Sequence, residues 1–187
     1  MAAALAVRRD PVRMGVPVAV GATALAAAVA VMIMRGDGQA RQLLGIVDLA
    51  LLALIAATDA RTFIAPNRIV YPALAFALLG AVALGPAIGV EALAGCGVAF
   101  VGLLVVALAG RGAMGFGDVK AGALCGAVVG LHGVVPMLVI TFLAGGVLAA
   151  VCLGFGVRQR KDTIAFTPLL VGGVLVSLAV FDLYLVT

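Results

Sequence analysis

Apolar residues in this chain run in long blocks, with no stripe or alternation. Stretches at roughly 15–34, 43–58, 69–84, 90–109, 119–135, 136–156 and 166–187 carry almost no charge, and short segments rich in Arg, Gly, Pro and Asp part them. A helix needs about 20 mostly apolar residues to cross a bilayer, and a helix apolar all round is buried in lipid or in other helices. The pattern predicts an all-α, polytopic membrane bundle of six to seven transmembrane helices. The fifth and sixth segments are parted only by His132, Gly133 and Pro136, which places their boundary at 135/136. Six spans result if the first segment is poorly inserted. The opening MAAALAVRRDPVRMG places charges after only seven apolar residues, and the run that follows lacks a small-residue cleavage pattern. A retained anchor is expected there rather than a removed signal peptide.

Composition agrees. The 187 residues are 65% hydrophobic and 11% charged, with a mean hydropathy of +1.32. So little polar surface does not coat a water-soluble domain of this size. The length suits one domain, 1–187. A net charge of +4 raises the question of nucleic acid, but the basic residues are spread through short loops and form no clustered face, so no nucleic-acid partner is expected. They fit orientation in the lipid bilayer better. Arg8, Arg9, Arg13, Arg61, Arg68, Arg111, Lys120, Arg158, Arg160 and Lys161 fall on one side of the layout, and only Arg35 and Arg41 on the other. The positive-inside rule makes the first side cytoplasmic, with the N-terminus on it and, for seven spans, the C-terminus outside. Cys96, Cys125 and Cys152 sit singly in apolar segments without a CxxC pair. They read as small packed thiols, with neither a zinc site nor a disulfide framework indicated.

Of the eight acidic residues, Asp10, Asp37 and Asp162 fall beside basic residues in loops or the tail, and Asp182 nears the far end of the last segment. Glu91 begins the fourth segment, where a helix dipole favours a carboxylate. Asp48, Asp59 and Asp118 remain. An ionisable group costs about 2.5–3.5 kcal/mol at the centre of a membrane helix, so each is a candidate for function. Asp59 closes the second segment and Asp118 opens the fifth, both at the cytoplasmic edge, so two helices can bring them together at one depth. Two carboxyls a few ångströms apart share a proton. The ionised one can take a proton from water while the protonated one polarises a peptide carbonyl, which is hydrolysis without a covalent intermediate. Around Asp118 the chain reads MGFGDVK, and Gly115 and Gly117 leave room for a substrate backbone to approach the carboxylate. Taken alone, this string reads equally well as an exposed turn capped by Asp. Asp48 lies eleven residues before Asp59 on nearly the same helix face, either binding a neighbouring helix or modulating the site, and the packing role is favoured. Gly122, Gly126 and Gly130 repeat every fourth residue after Asp118, a ridge that admits another helix closely and points the carboxylate toward whatever packs there.

After Asp59 the chain reads DARTFIAPNR, with Arg61 two residues on and Pro66 and Asn67 at the end of the run. Together with GFGDVK, this resembles the prepilin peptidase family of membrane aspartic proteases, which pairs an Asp-x-Arg…Pro-Asn loop after one span with a GxGDxK loop at the start of a later one. The late stretch IAFTPLLVGG is similar to the family's Ile-Pro-Phe-Gly-Pro segment. The resemblance covers roughly 45–180, leaving 1–42 as a tail and an extra span without an assigned role. It implies that Asp59 and Asp118 are the catalytic pair and that Arg61, Pro66, Asn67, Gly115, Gly117 and Lys120 support them. Ala65 stands where the family usually has Ile, a packing position.

The family's substrates are single-span prepilins or pseudopilins with a short basic leader, cut at the cytoplasmic face of the plasma (inner) membrane. Longer members carry a cytoplasmic insert with paired cysteines tied to N-methylation. The loops here are short and without Cys, so the chain is similar to the short peptidases of tight-adherence (Flp-type) pili or to preflagellin peptidases. Arg61 and Lys120 either position carboxylates or carbonyls, or lower the mean pKa of the pair by proximity, or anchor topology. Pro66 stiffens its loop and Asn67 is expected to cap the next helix. His132, the single histidine, falls on the outer side, and no metal or other cofactor is expected. Two other classes compete: a small transporter using Asp48, Asp59 and Asp118 as a cation path, and a silent assembly protein. No internal repeat supports the transporter. The intact motifs argue against silence, and no Pro-Ala-Leu motif points to presenilin-type proteases.

Overall fold

Sequence blocks without helical periodicity become helices because the backbone has no other partner in lipid: each N–H must find a carbonyl within its own segment. The computed structural model describes residues 39–62, 67–110, 114–154 and 165–181. All regular structure among them is α-helical: α1 (Gln39–Thr62), α2 (Asn67–Leu84), α3 (Pro86–Ala109), α4 (Phe116–Gly154) and α5 (Thr167–Phe181). The expected first span at 15–34, together with Pro66, Arg111 and Asp182, lies outside the described residues. Four helices, α1 to α4, are long and apolar enough to cross a membrane, and α5 is a shorter apolar helix. Large side chains such as Leu79 (70% exposed) and Leu108 (72% exposed) face outward. In water such a surface would drive association; against lipid tails it is matched.

The boundary expected near Pro136 is corrected. Helical backbone runs through Pro136, and the break falls at Gly130, with φ 70° and ψ −177°. An apolar helix tolerates a proline, which deletes one donor and leaves neighbours to compensate. A φ of +70° with extended ψ belongs almost only to glycine. At this residue α4 doubles back. Its first limb, 116–129, runs antiparallel to α3, with Gly122 against Leu103 and Gly126 against Gly95 and Ala99. Its second limb, 131–154, runs antiparallel to α5: Gly133 O accepts from Ser177 Oγ at 3.1 Å, Met137 meets Gly173, and Gly145 lies beside Phe166 and Leu169.

The glycine ridge therefore does what its spacing predicts. A Cβ on Gly126 would stand 2.6 Å from Ala99 Cβ, and one on Gly95 would stand 2.5 Å from the Gly130 carbonyl carbon. Backbone meets backbone here, gaining dispersion where lipid supplies no hydrophobic drive. Most of the interior is correspondingly small: Ala99, Ala121, Ala123, Cys125, Ala127 and Val128 are buried, with Leu52, Ile55 and Leu103 as the larger plugs.

Glu91 is also corrected. α3 begins at Pro86, so Glu91 lies a turn inside it and its carboxylate serves a different helix. Glu91 Oε2 accepts the Leu131 N–H at 3.1 Å and lies 3.0 Å from His132 Nδ1. The dipole argument holds, but the N-terminus it applies to is that of the second limb of α4, exposed by the break at Gly130.

Candidate functional site

α1 ends, α4 begins and α5 begins at one end of the bundle, so that end collects a carboxylate, a second carboxylate and a helix start. Asp59, in the last turn of α1, is 3% exposed. Its Oδ2 accepts the backbone N–H of Thr167 at 3.2 Å. That donor is available for a local reason. The Phe166 carbonyl takes the N–H groups of Leu169 and Leu170, and Pro168 has none to give. The first amide of α5 is thus an orphan donor at the positive end of a helix, and it points at Asp59.

Asp118 stands at the third position of α4. Its N–H donates to Gly115 O at 3.0 Å, and its Oδ2 accepts from Gly115 N at 3.3 Å. This reciprocal pattern is a helix cap. One oxygen of Asp118 thus caps the helix, as one reading of MGFGDVK expects, and the carboxyl also lies in the neighbourhood of Asp59. The hydroxyl side of Thr167 also lies beside Asp118. Gly115 does not adopt positive φ, so its backbone does not require glycine. A Cβ there would rest 3.4 Å from Asp118 Oδ2, over the carboxylate.

Lys120 and Asn67 join the two motif loops. Lys120 Nζ donates to Asn67 Oδ1 at 3.1 Å and sits 5.0 Å from the Tyr71 ring centre and 4.9 Å from that of Phe116. Phe116 meets Phe100 edge-on at 6.4 Å. Asn67, expected to cap α2, has its side-chain oxygen on Lys120. The ammonium is held by an amide oxygen and two π faces, which ties the start of α2 to the start of α4 beside the carboxylates. A double-mutant cycle on Lys120→Met and Asn67→Ala, read by thermal melting in detergent, is expected to return a coupling of about 0.5–1.5 kcal/mol. Additive effects would mean that the contact does not hold the loops.

Arg61 is exposed in the last turn of α1, and Gly117 is half-buried at the start of α4. Asp48 is 2% exposed but sits eleven residues up α1, about 16 Å from Asp59 along the axis, so it is not part of the cluster. His132 and Glu91 lie at the opposite end of α3 and α4. Among the described residues no group of three or more His, Cys, Asp or Glu is placed to hold a metal. Sequence reasoning missed Tyr71, Phe100, Phe116 and Thr167. Thr167 left a trace in the IAFTP stretch and Phe116 stands inside MGFGDVK, but Tyr71 and Phe100 look like any other apolar residues until the helices pack.

Known proteins carry the same segments. Residues 46–150 match the model of the type IV leader peptidase family (Peptidase_A24). A prepilin leader peptidase/N-methyltransferase of Xanthomonas campestris pv. campestris is 32% identical over 124 residues, covering 64% of this chain and 43% of the relative. A protein of the same description from Bacillus subtilis is 30% identical over 129 residues, 68% of this chain and 52% of the relative. The chain thus spans about half the length of these curated relatives. No solved structure matches it. The match across α1 to α4, which includes both aspartate loops, shows that the chain belongs to the type IV leader peptidase family.

Proposed function

We propose that this protein is an aspartic endopeptidase that removes the short basic leader of type IV or Flp-type prepilins at the cytoplasmic face of the plasma membrane. The observation that carries the reading is the approach, from three helices far apart in sequence, of Asp118 to Asp59, whose Oδ2 accepts the first amide of α5. One carboxyl, ionised, takes a proton from the attacking water; the other, protonated, polarises the scissile carbonyl. Roles then exchange as the amine leaves. Asp59, held through Oδ2 by Thr167, keeps Oδ1 for this work. Asp118, which spends Oδ2 on Gly115, likewise keeps Oδ1. The exposed Gly115 beside Asp118 leaves a side from which an extended backbone can reach the pair.

Topology supports the same face. Arg61, Arg68 and Lys120 stand at the carboxylate end of the described helices and Arg41 at the other, the asymmetry the positive-inside rule associates with a cytoplasmic carboxylate end. Reading α4 as two limbs and α5 as a further crossing agrees with the α5 start lying beside the α1 end on that face. A substrate whose apolar helix lies in the bilayer then presents its leader junction at the level of the pair.

The test is cleavage in proteoliposomes of wild-type protein with a prepilin carrying a basic leader and a preflagellin, read by mass shift. Cleavage of the prepilin at the leader junction is expected without added metal. Cleavage of only the preflagellin reassigns the substrate, and cation flux without any cleavage overturns the peptidase in favour of a transporter.

A further inference from the structure

Thr167 belongs to neither aspartate motif, yet it bonds one carboxylate through its amide and lies near the other through its hydroxyl. It is fully buried at the start of α5. Its amide is committed to Asp59 Oδ2 at 3.2 Å. Its Oγ1 lies on the Asp118 side, near enough to act on that carboxylate, but makes no hydrogen bond to a described protein atom. A buried hydroxyl left unpaired costs about 1–3 kcal/mol. Valine fills the same volume without that cost, so packing alone does not account for threonine. The hydroxyls of Thr141 and Ser177 show the contrast. Each is buried and each is satisfied by a carbonyl, Met137 O at 2.8 Å and Gly133 O at 3.1 Å.

We propose that Thr167 is a positioning residue of the aspartate pair: its amide fixes Asp59 through one oxygen, and its hydroxyl donates to the Asp118 carboxylate as that group takes up its working geometry. This rests on the peptidase reading above. The α5 start fixes one oxygen of Asp59 and the α4 start one oxygen of Asp118, and the Thr167 hydroxyl stands between the two groups. A donor to a carboxylate oxygen holds that oxygen in place and leaves the group's orientation fixed for the water. Pro168 adds to the rigidity, because its ring locks φ at the first turn.

Two substitutions separate the hydroxyl from the shape. Thr167→Val keeps the branched outline and removes the donor; Thr167→Ser keeps the donor and removes a methyl. Both are compared with wild type and Asp59→Asn in proteoliposomes, using a prepilin peptide and full kinetics. Thr167→Val is expected to lower kcat about 10- to 100-fold, the scale of a hydrogen bond to a charged group, with KM within about twofold. Thr167→Ser is expected within about threefold of wild type. Should Thr167→Val melt early in detergent, Thr167→Ala serves as the second donor-free variant. Near-normal kcat in the donor-free variants overturns the inference, as does a loss in Thr167→Ser that matches or exceeds the loss in Thr167→Val, the pattern of a packing residue. Cleavage by Asp59→Asn, or none by wild type, would instead sink the peptidase reading itself, so the two failures are told apart.

Discussion

Asp59→Asn and Asp118→Asn are each expected to stop prepilin cleavage, with a loss of at least about 10²–10⁴-fold, the contribution of positioned acid–base groups. Either change keeps the outline of the side chain and its main fixed contact. An Asn at 59 still offers a carbonyl oxygen to the Thr167 amide, and one at 118 still offers one to Gly115. Neither change leaves the Thr167 or Gly115 amide without its acceptor, so folding and membrane insertion should survive. The two losses should not add, because a pair that divides one proton works as a unit. The measurement is cleavage of a co-expressed prepilin by gel shift, beside immunoblots of the membrane fraction. Either variant cutting within about tenfold of wild type, at equal membrane level, makes that Asp structural and dissolves the pair.

The second large effect is expected from one methyl group at Gly126. Its Cβ would be driven into the Gly95 carbonyl oxygen, 2.9 Å from the carbonyl carbon and 2.6 Å from Ala99 Cβ. None of these atoms ends a flexible chain, so relief requires α3 and the first limb of α4 to move apart. Overpacking of this kind costs about 1–3 kcal/mol. It also displaces the start of α4, where Asp118 stands two turns below, and misplacement of a catalytic group by about 1 Å can cost about 10²-fold in rate. Gly126→Ala is therefore expected to lower the melting temperature in detergent and cleavage together. Gly97→Ala is the control: it lies on α3 with nothing within 4 Å of an added Cβ. There the gain in helix propensity, up to about 1 kcal/mol, should leave melting unchanged or raised. Equal melting of the two variants would mean that the α3–α4 contact is not tight.

The helices were legible because lipid removes choices. A run without charge that must satisfy its own backbone is a helix, and the described boundaries of α1, α2 and α3 fall within a few residues of the apolar blocks at 43–58, 69–84 and 90–109. The turn inside α4 was misplaced because proline is a conspicuous breaker in sequence, whereas the need for positive φ at Gly130 arises only when two limbs must reverse within one residue. Glu91 was assigned to its own helix because a one-dimensional reading sees only neighbours along the chain. Its true partner, the Leu131 amide, is 40 residues away.

The sequence by itself determined that this chain is a helical membrane protein, that Asp59 and Asp118 stand at the ends of helices, and that their loops carry the signature of type IV leader peptidases. It could do so because hydropathy, charge asymmetry and short motifs are local quantities. Only the tertiary structure decided that Lys120 is held by Asn67, Tyr71 and Phe116, that Asp48 stays apart, and that the Thr167 amide meets Asp59. These are contacts across 53 and 108 residues of chain. A buried donor takes whichever acceptor packing brings within about 3 Å, and nothing in the local sequence of either partner specifies the other.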